Sequence, residues 1–174
     1  MPRFEHILVP VDFSPCSRSA LEHAQSLAEE YGANIDVLHV WYPPRYIGPD
    51  TELAIGQNAQ TLWDYARAAA AKDFDEFLGD FHRRPAVKLT ARLEQGSPEE
   101  TILGVAKAGD FDLIVMGTRG RTGLSHAFLG SVAERVVRNA PCPVMTVHAE
   151  HHTVSGPAYP EQRGDRLKLH RLPS

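Results

Sequence analysis

The chain has 174 residues, 43% of them hydrophobic, and a formal charge of −4 at neutral pH. That length and apolar share suffice for one sizeable core, so a single domain is expected. The acidic balance argues against general affinity for nucleic acid, and no apolar run approaches the roughly 20 residues of a membrane span.

Two cysteines, Cys16 and Cys142, and the absence of a signal-peptide pattern after Met1 predict a cytoplasmic protein with reduced thiols. Cys16 falls in the first turn of a predicted helix, where a dipole can activate a thiol, but a small packing residue is the better reading.

His6 to Val11 is a short apolar run and reads as a buried strand. Ser14-Pro15 supplies an N-cap followed by proline at the first helical position. Ala20, Leu21, Ala24, Leu27, Ala28 and Tyr31 recur at helical spacing, and Gly32 is a natural stop. Ile35 to Val40 is a second strand. Tyr42 to Gln57 is punctuated by Pro43, Pro44, Gly48, Pro49 and Gly56 and reads as a long loop of the kind that often serves function. A long helix is expected from Asn58 to Phe81, with Leu62, Ala66, Phe74, Phe77 and Leu78 on its apolar face.

Val87 to Leu93 alternates and predicts a third strand at a sheet edge. Ser97-Pro98-Glu99-Glu100 reads as a capping box opening a helix that Gly109 closes. Leu113 to Gly117 is the fourth strand. A glycine-bearing segment follows, then a helix from Val132 to Ala140, stopped by Pro141. Pro143 to Val147 is the fifth strand. Strands alternating with helices predict an α/β fold: an open five-stranded parallel sheet with helices on both faces and strand order 3-2-1-4-5. That order sets strands one and four side by side at the point where the winding reverses and a crevice opens. Residues 1–148 are assigned to this domain, and the polar stretch 149–174 to a C-terminal tail with little structure of its own. His148, His151 and His152 are able to bind a metal, although a solvated tail is the simpler reading.

The candidate site follows from this layout. Met116-Gly117-Thr118-Arg119-Gly120 leaves the fourth strand, and Gly130-Ser131-Val132 opens the next helix. A glycine-rich connection from strand to helix start allows close backbone approach to an anion and offers free N–H groups at a positive dipole end. From Leu113 to His148 the charged residues are Arg119, Arg121, Arg135 and Arg138 against Glu134, a concentration suited to a small anion. Ser131 is able to donate to a phosphate and to N-cap the helix, and the two roles are compatible. Asp12, at the end of the first strand, is placed for ribose hydroxyls or a metal ion; Ser14 is the better helix cap, which leaves Asp12 available. Pro10, Val11 and Val40 lie at strand ends around the crevice. From spacing alone the two valines read as core, while their backbone groups are able to bond a base edge. His126 lies in the glycine segment but has no clear catalytic part. There is no phosphate-loop G-x-x-x-x-G-K-[ST], no G-x-G-x-x-G after the first strand, and no nucleophile elbow.

The pattern G-x-x-G, nine residues, then G-[ST] on the fourth strand and fourth helix resembles the ATP-binding universal stress protein domain. The likeness extends to Ile7-Leu8-Val9-Pro10-Val11-Asp12, to Val115-Met116-Gly117 and to Pro141-Cys142-Pro143-Val144, and covers residues 3 to 148. It implies ATP, with Mg or Mn, in the crevice. Residues matching Pro10, Val11, Asp12 and Val40 would line the adenosine pocket, and those matching Met116, Gly117, Arg119, Gly120, Gly130, Ser131 and Val132 would surround ribose and phosphates. It also implies a homodimer paired through the fifth strand, Val144 to Val147. The function so implied is a nucleotide-dependent regulatory or stress-response protein with slow ATP hydrolysis at most. A genuine ATP-dependent enzyme with 42–57 as a lid, or a dimeric interaction module without nucleotide, are the alternatives.

Overall fold

The computed structural model describes residues 4–42, 52–55, 58–79, 81, 87–118 and 129–149. In chain order the elements are β1 (His6–Val11), α1 (Pro15–Tyr31), β2 (Asn34–Trp41), β3 (Glu52–Ile55), β4 (Asn58–Thr61), α2 (Leu62–Gly79), β5 (Leu89–Gln95), α3 (Pro98–Ala108), β6 (Leu113–Gly117), α4 (Ser131–Asn139) and β7 (Val144–Val147). The main sheet has five parallel strands in the order β5-β2-β1-β6-β7, the doubly wound arrangement expected from the sequence.

Burial on both faces explains why the central strands read as continuous apolar runs. Ile7, Val9 and Val11 of β1 and Leu113 and Val115 of β6 join Ala20, Leu21 and Ala24 of α1 and Phe74, Phe77 and Leu78 of α2 in one core. The alternate residues, Leu8, Ile114 and Met116, pack with Ile102 and Ala106 of α3 and Ala133 and Val136 of α4 in a second core on the opposite face. Buried within the sheet, Asp36 of β2 takes Nε of Arg92 from β5 at 2.6 Å and Nε2 of His6 from β1 at 3.2 Å. A buried carboxylate is tolerable only with such partners.

Helix α1 begins as expected: Oγ of Ser14 accepts from N of Ser17 at 3.2 Å. It ends at Gly32, whose φ of 71° places it in the left-handed region and whose N–H reaches O of Ala28. Three boundaries differ from expectation. The stretch 42–57 is not all loop, because Glu52–Ile55 pairs antiparallel with Asn58–Thr61. That pairing consumes the predicted start of the long helix, which begins instead at Leu62. There Thr61 and Asp64 cap each other: Oγ1 of Thr61 accepts from N of Asp64 at 3.1 Å and donates to Oδ2 of Asp64 at 2.7 Å. Strand β5 starts two residues later than Val87, its ladder with β2 running from Ile35↔Leu89 to Trp41↔Gln95. The expected capping box at Ser97 is also absent; Ser97 is the N-cap of α3 but makes no side-chain cap hydrogen bond. The tail assigned to 149–174 lies outside the described residues from 150 onward.

Candidate functional site

The crevice exists because two strands part. The β1–β2 ladder is continuous from His6↔Asn34 to Val11↔His39, but β1 and β6 pair only at Ile7↔Leu113 and Leu8↔Ile114. Beyond that point β1 runs on to Val11 and β6 to Gly117 with no ladder between them. A cavity of about 400 Å³ opens there, at the carboxyl ends of the strands. This is within the usual size of a small-ligand site.

All of the described residues assigned from the sequence line this one cavity: Pro10, Val11, Asp12, Val40, Met116, Gly117, Gly130, Ser131 and Val132. Arg119 and Gly120, together with Arg121 and His126, lie outside the described residues. The two ends of the segment that carries them meet at the cavity, where N of Gly130 donates to O of Thr118 at 2.7 Å. Thr118 is itself held at the sheet, its N–H on O of Val147 at 2.8 Å and its hydroxyl 2.9 Å from Nδ1 of His148.

Of the helix N-termini at the cavity, those of α1 and α4 are not equivalent. That of α1 is occupied by side chains: Oδ1 of Asp12 accepts from both N and Oγ of Ser14, at 3.1 and 2.6 Å, and Oγ of Ser14 accepts from N of Ser17. Asp12 is thus tied into the cap through Oδ1, which corrects the sequence expectation that the capping Ser14 leaves it unengaged. The N-cap of α4 is Gly130, with no side-chain cap hydrogen bond, and Ser131 is the first helical residue and not the cap. Among the described residues the first turn of α4 therefore has no side-chain cap such as Ser14 gives α1, at an end where the dipole favours an anion. Gly130 has φ −71° and ψ 156°, a conformation open to any residue, so its value at this place is the space a missing side chain leaves. Gly117 differs again. A β-carbon on it would lie 2.8 Å from Cβ of Cys16 and 3.0 Å from N of Ser17, so its absence lets β6 approach the start of α1.

Several lining residues were not singled out from the sequence. Pro98 and Ile102 bring α3 into the wall, and Thr118 and His39 complete the floor. His39 carried a signal, since a histidine flanked by Val37, Leu38, Val40 and Trp41 in a strand needs a polar partner. Its Nδ1 lies 2.9 Å from O of Val11. At the outer side of α4, Arg135 pairs with Glu99 of α3 at 2.8 Å. The Glu99 carboxyl is held below its ordinary value chiefly by its own backbone N–H, with Ser97 and Arg135 adding to this against a desolvation cost. Burial, with Asp112 nearby, pushes the Cys142 thiol up, which makes it a poor nucleophile. Among the described residues no group of three or more His, Cys, Asp or Glu side chains is placed to hold a metal ion, and no helix is long and apolar enough to cross a membrane.

The sheet order and the cavity at its reversal point define an α/β protein of the doubly wound class, with a glycine-bearing strand-to-helix connection at its crevice. Residues 3–148 match the Universal stress protein family, and the chain belongs to it. It is 33% identical over 147 residues to a universal stress protein of Methanocaldococcus jannaschii, covering 83% of this chain and 82% of that one. The structure of the universal stress protein UspA from Lactobacillus plantarum superposes with a TM-score of 0.69 at 28% identity, over 84% of this chain and 99% of the other. A universal stress protein solved in complex with cAMP shares the fold, with a TM-score of 0.63 at 20% identity over 85% of this chain and 99% of that one.

Proposed function

We propose that this protein binds ATP in the crevice between β1 and β6 and acts as a nucleotide-dependent regulatory or stress-response protein. The observation that carries this reading is the uncapped start of α4, which opens onto the same cavity as Asp12. A polyphosphate needs N–H donors and a positive dipole end; a ribose needs a fixed hydrogen-bond acceptor. The cavity offers the first at Ser131 and Val132, the N–H of Gly130 being held by O of Thr118, and the second at Asp12. Val11 and Val40 supply apolar walls for the base. That a family relative holds a cyclic nucleotide supports the class of ligand.

Asp12 is the only carboxylate among the described residues that line the cavity. A Mg or Mn ion would therefore take most of its ligands from phosphate oxygens and water. With Asp12 committed to Ser14 and a sugar, no second carboxylate among the described lining residues is left to act as a base, so hydrolysis is slow at most. Strand β7 is last in the sheet order, and Met145 is 37% exposed upon it, so pairing of two copies through β7 would cover its open edge.

The test is calorimetric titration of the purified protein with ATP and magnesium, with nucleotide analysis of the freshly denatured protein and a steady-state ATPase assay. Saturable binding with turnover below roughly 1 per second is expected. Absence of both bound and binding nucleotide would overturn the assignment, and faster turnover would replace a regulatory protein with an enzyme.

A further inference from the structure

Phe13 is the only non-glycine residue at positive φ among those described, at 67°. A bulky side chain in that region is strained and persists only where its surroundings over-determine it. Here the surroundings are explicit. The Phe13 ring stacks on His39 with centroids 4.2 Å apart and planes at 27°, and it also lies 5.3 Å from the ring of Phe77. His39 is buried and lines the cavity. A carbonyl oxygen only accepts, so Nδ1 of His39 carries a proton and donates it to O of Val11 at 2.9 Å. A residue of β2 thus grips the last residue of β1 and the turn that follows it.

The turn has a chemical consequence. Its reversal at Phe13 brings both N and Oγ of Ser14 onto Oδ1 of Asp12. Asp12 is thereby fixed by a local geometry that the backbone would not choose unaided. If the ring stack were lost, Phe13 would relax towards negative φ and the Asp12–Ser14 bonds would go with it.

We propose that Phe13 and His39 are positioning residues for sugar recognition: their stack and the His39–Val11 hydrogen bond lock the β1–α1 corner so that Asp12 is presented to the ribose hydroxyls of a nucleotide. This rests on the nucleotide reading given above and deepens it. Neither ring needs to touch the ligand for the effect, which acts through Asp12.

The readout is the ratio of affinities for ATP and 2′,3′-dideoxy-ATP, measured by calorimetry with magnesium on the full chain. Phe13→Ala keeps a β-carbon at the strained position and removes the stack; His39→Asn keeps an N–H donor near the place of Nδ1 but removes the stack; His39→Phe keeps the stack and removes the donor. Each should lose about tenfold for ATP, the size of one hydrogen bond to a charged group, and less than about twofold for the dideoxy compound. Phe13→Tyr, which keeps the ring, should retain the preference. Should Phe13→Ala not fold by circular dichroism, the two His39 variants carry the comparison. Equal losses for both ligands, or none for either, would overturn the proposal and leave a structural role. A wild-type protein that binds ATP and dideoxy-ATP equally would overturn the sugar role of Asp12 while the nucleotide reading stood. A wild type that binds neither would overturn both.

Discussion

Gly117 and Cys16 stand so close that a β-carbon on Gly117 would lie 2.8 Å from Cβ of Cys16 and 2.9 Å from its carbonyl carbon. The glycine at the end of β6 therefore serves the joint between sheet and α1 before it serves any ligand.

Gly117→Ala forces a shift that the backbone of α1 cannot give cheaply. Overpacking of this kind costs about 1–3 kcal/mol, and a chain of this size should melt several degrees lower. Trimming Cys16 should not rescue it, because the backbone carbon of Cys16 and N of Ser17 remain in the way. Differential scanning calorimetry of Gly117→Ala with and without Cys16→Gly checks this; full recovery in the double variant would show that the thiol side chain alone sets the limit.

Gly130→Val separates folding from binding. Its backbone conformation suits valine, so the loss in stability should stay near the roughly 1 kcal/mol of a poor N-cap. A branched side chain at the mouth of α4 should nevertheless lower ATP affinity by about tenfold or more, through lost approach to the first N–H groups. Unchanged affinity in a folded variant would remove the phosphates from this end of the cavity.

The Asp36 cluster predicts an order of effects. The Arg92 side chain is 42% exposed whereas that of Asp36 is 5% exposed. Removing the arginine leaves a buried carboxylate with only His6 beside it, while neutralising the aspartate leaves a cation that water reaches. Arg92→Met should cost about 2–4 kcal/mol and Asp36→Asn about 1 kcal/mol in urea denaturation. The reverse order would mean that the pair is screened as a surface pair is.

Glu99 supplies a pH dependence. Its carboxyl is held below the ordinary value of 4.5 in the folded protein, first by its backbone N–H and then by Ser97 and Arg135. A group whose pKa falls on folding stabilises the fold above its unfolded value, and that contribution disappears as pH drops through the folded value. Glu99→Gln should therefore destabilise at pH 7 and converge with the wild type in acid well below pH 4.5. Thermal melts of both proteins across that range measure it; a constant gap down to the lowest pH would assign the effect to packing.

The β7 edge predicts an assembly. O of Pro143 and O of Val147 face β6, so alternation turns the backbone groups of Val144 and Thr146 outward. Thr146→Pro removes an outward N–H without touching the β6 ladder. If two copies pair through β7, sedimentation should show a dimer for the wild type and a monomer for this variant. A dimer in both would place the contact elsewhere.

The parallel sheet, its strand order and most helix limits were legible because each rests on local chemistry: apolar runs, the Ser14-Pro15 start, Gly32 and Pro141. The hairpin of β3 and β4 was not, since proline and glycine around it masked two short strands that only their mutual pairing stabilises. The Thr61–Asp64 cap is readable as T-x-x-D, but polar and small residues on its N-terminal side, Asn58 to Gln60, are as compatible with a helix as with a short strand.

At the site, residue types were legible and their relations were not. The sequence alone determined that a glycine-bearing connection follows a buried strand and that Asp12 ends another, because strand and helix periodicity is a property of neighbouring residues. Only the tertiary structure decided that β1 and β6 part after two paired positions, that Ser14 holds Asp12, that α4 starts without a side-chain cap, and that Gly117 yields to Cys16. The strand parting and the Gly117–Cys16 contact depend on groups distant in the chain meeting at a few ångströms, while the Ser14–Asp12 bonds and the α4 start depend on backbone conformation that residue types alone do not encode.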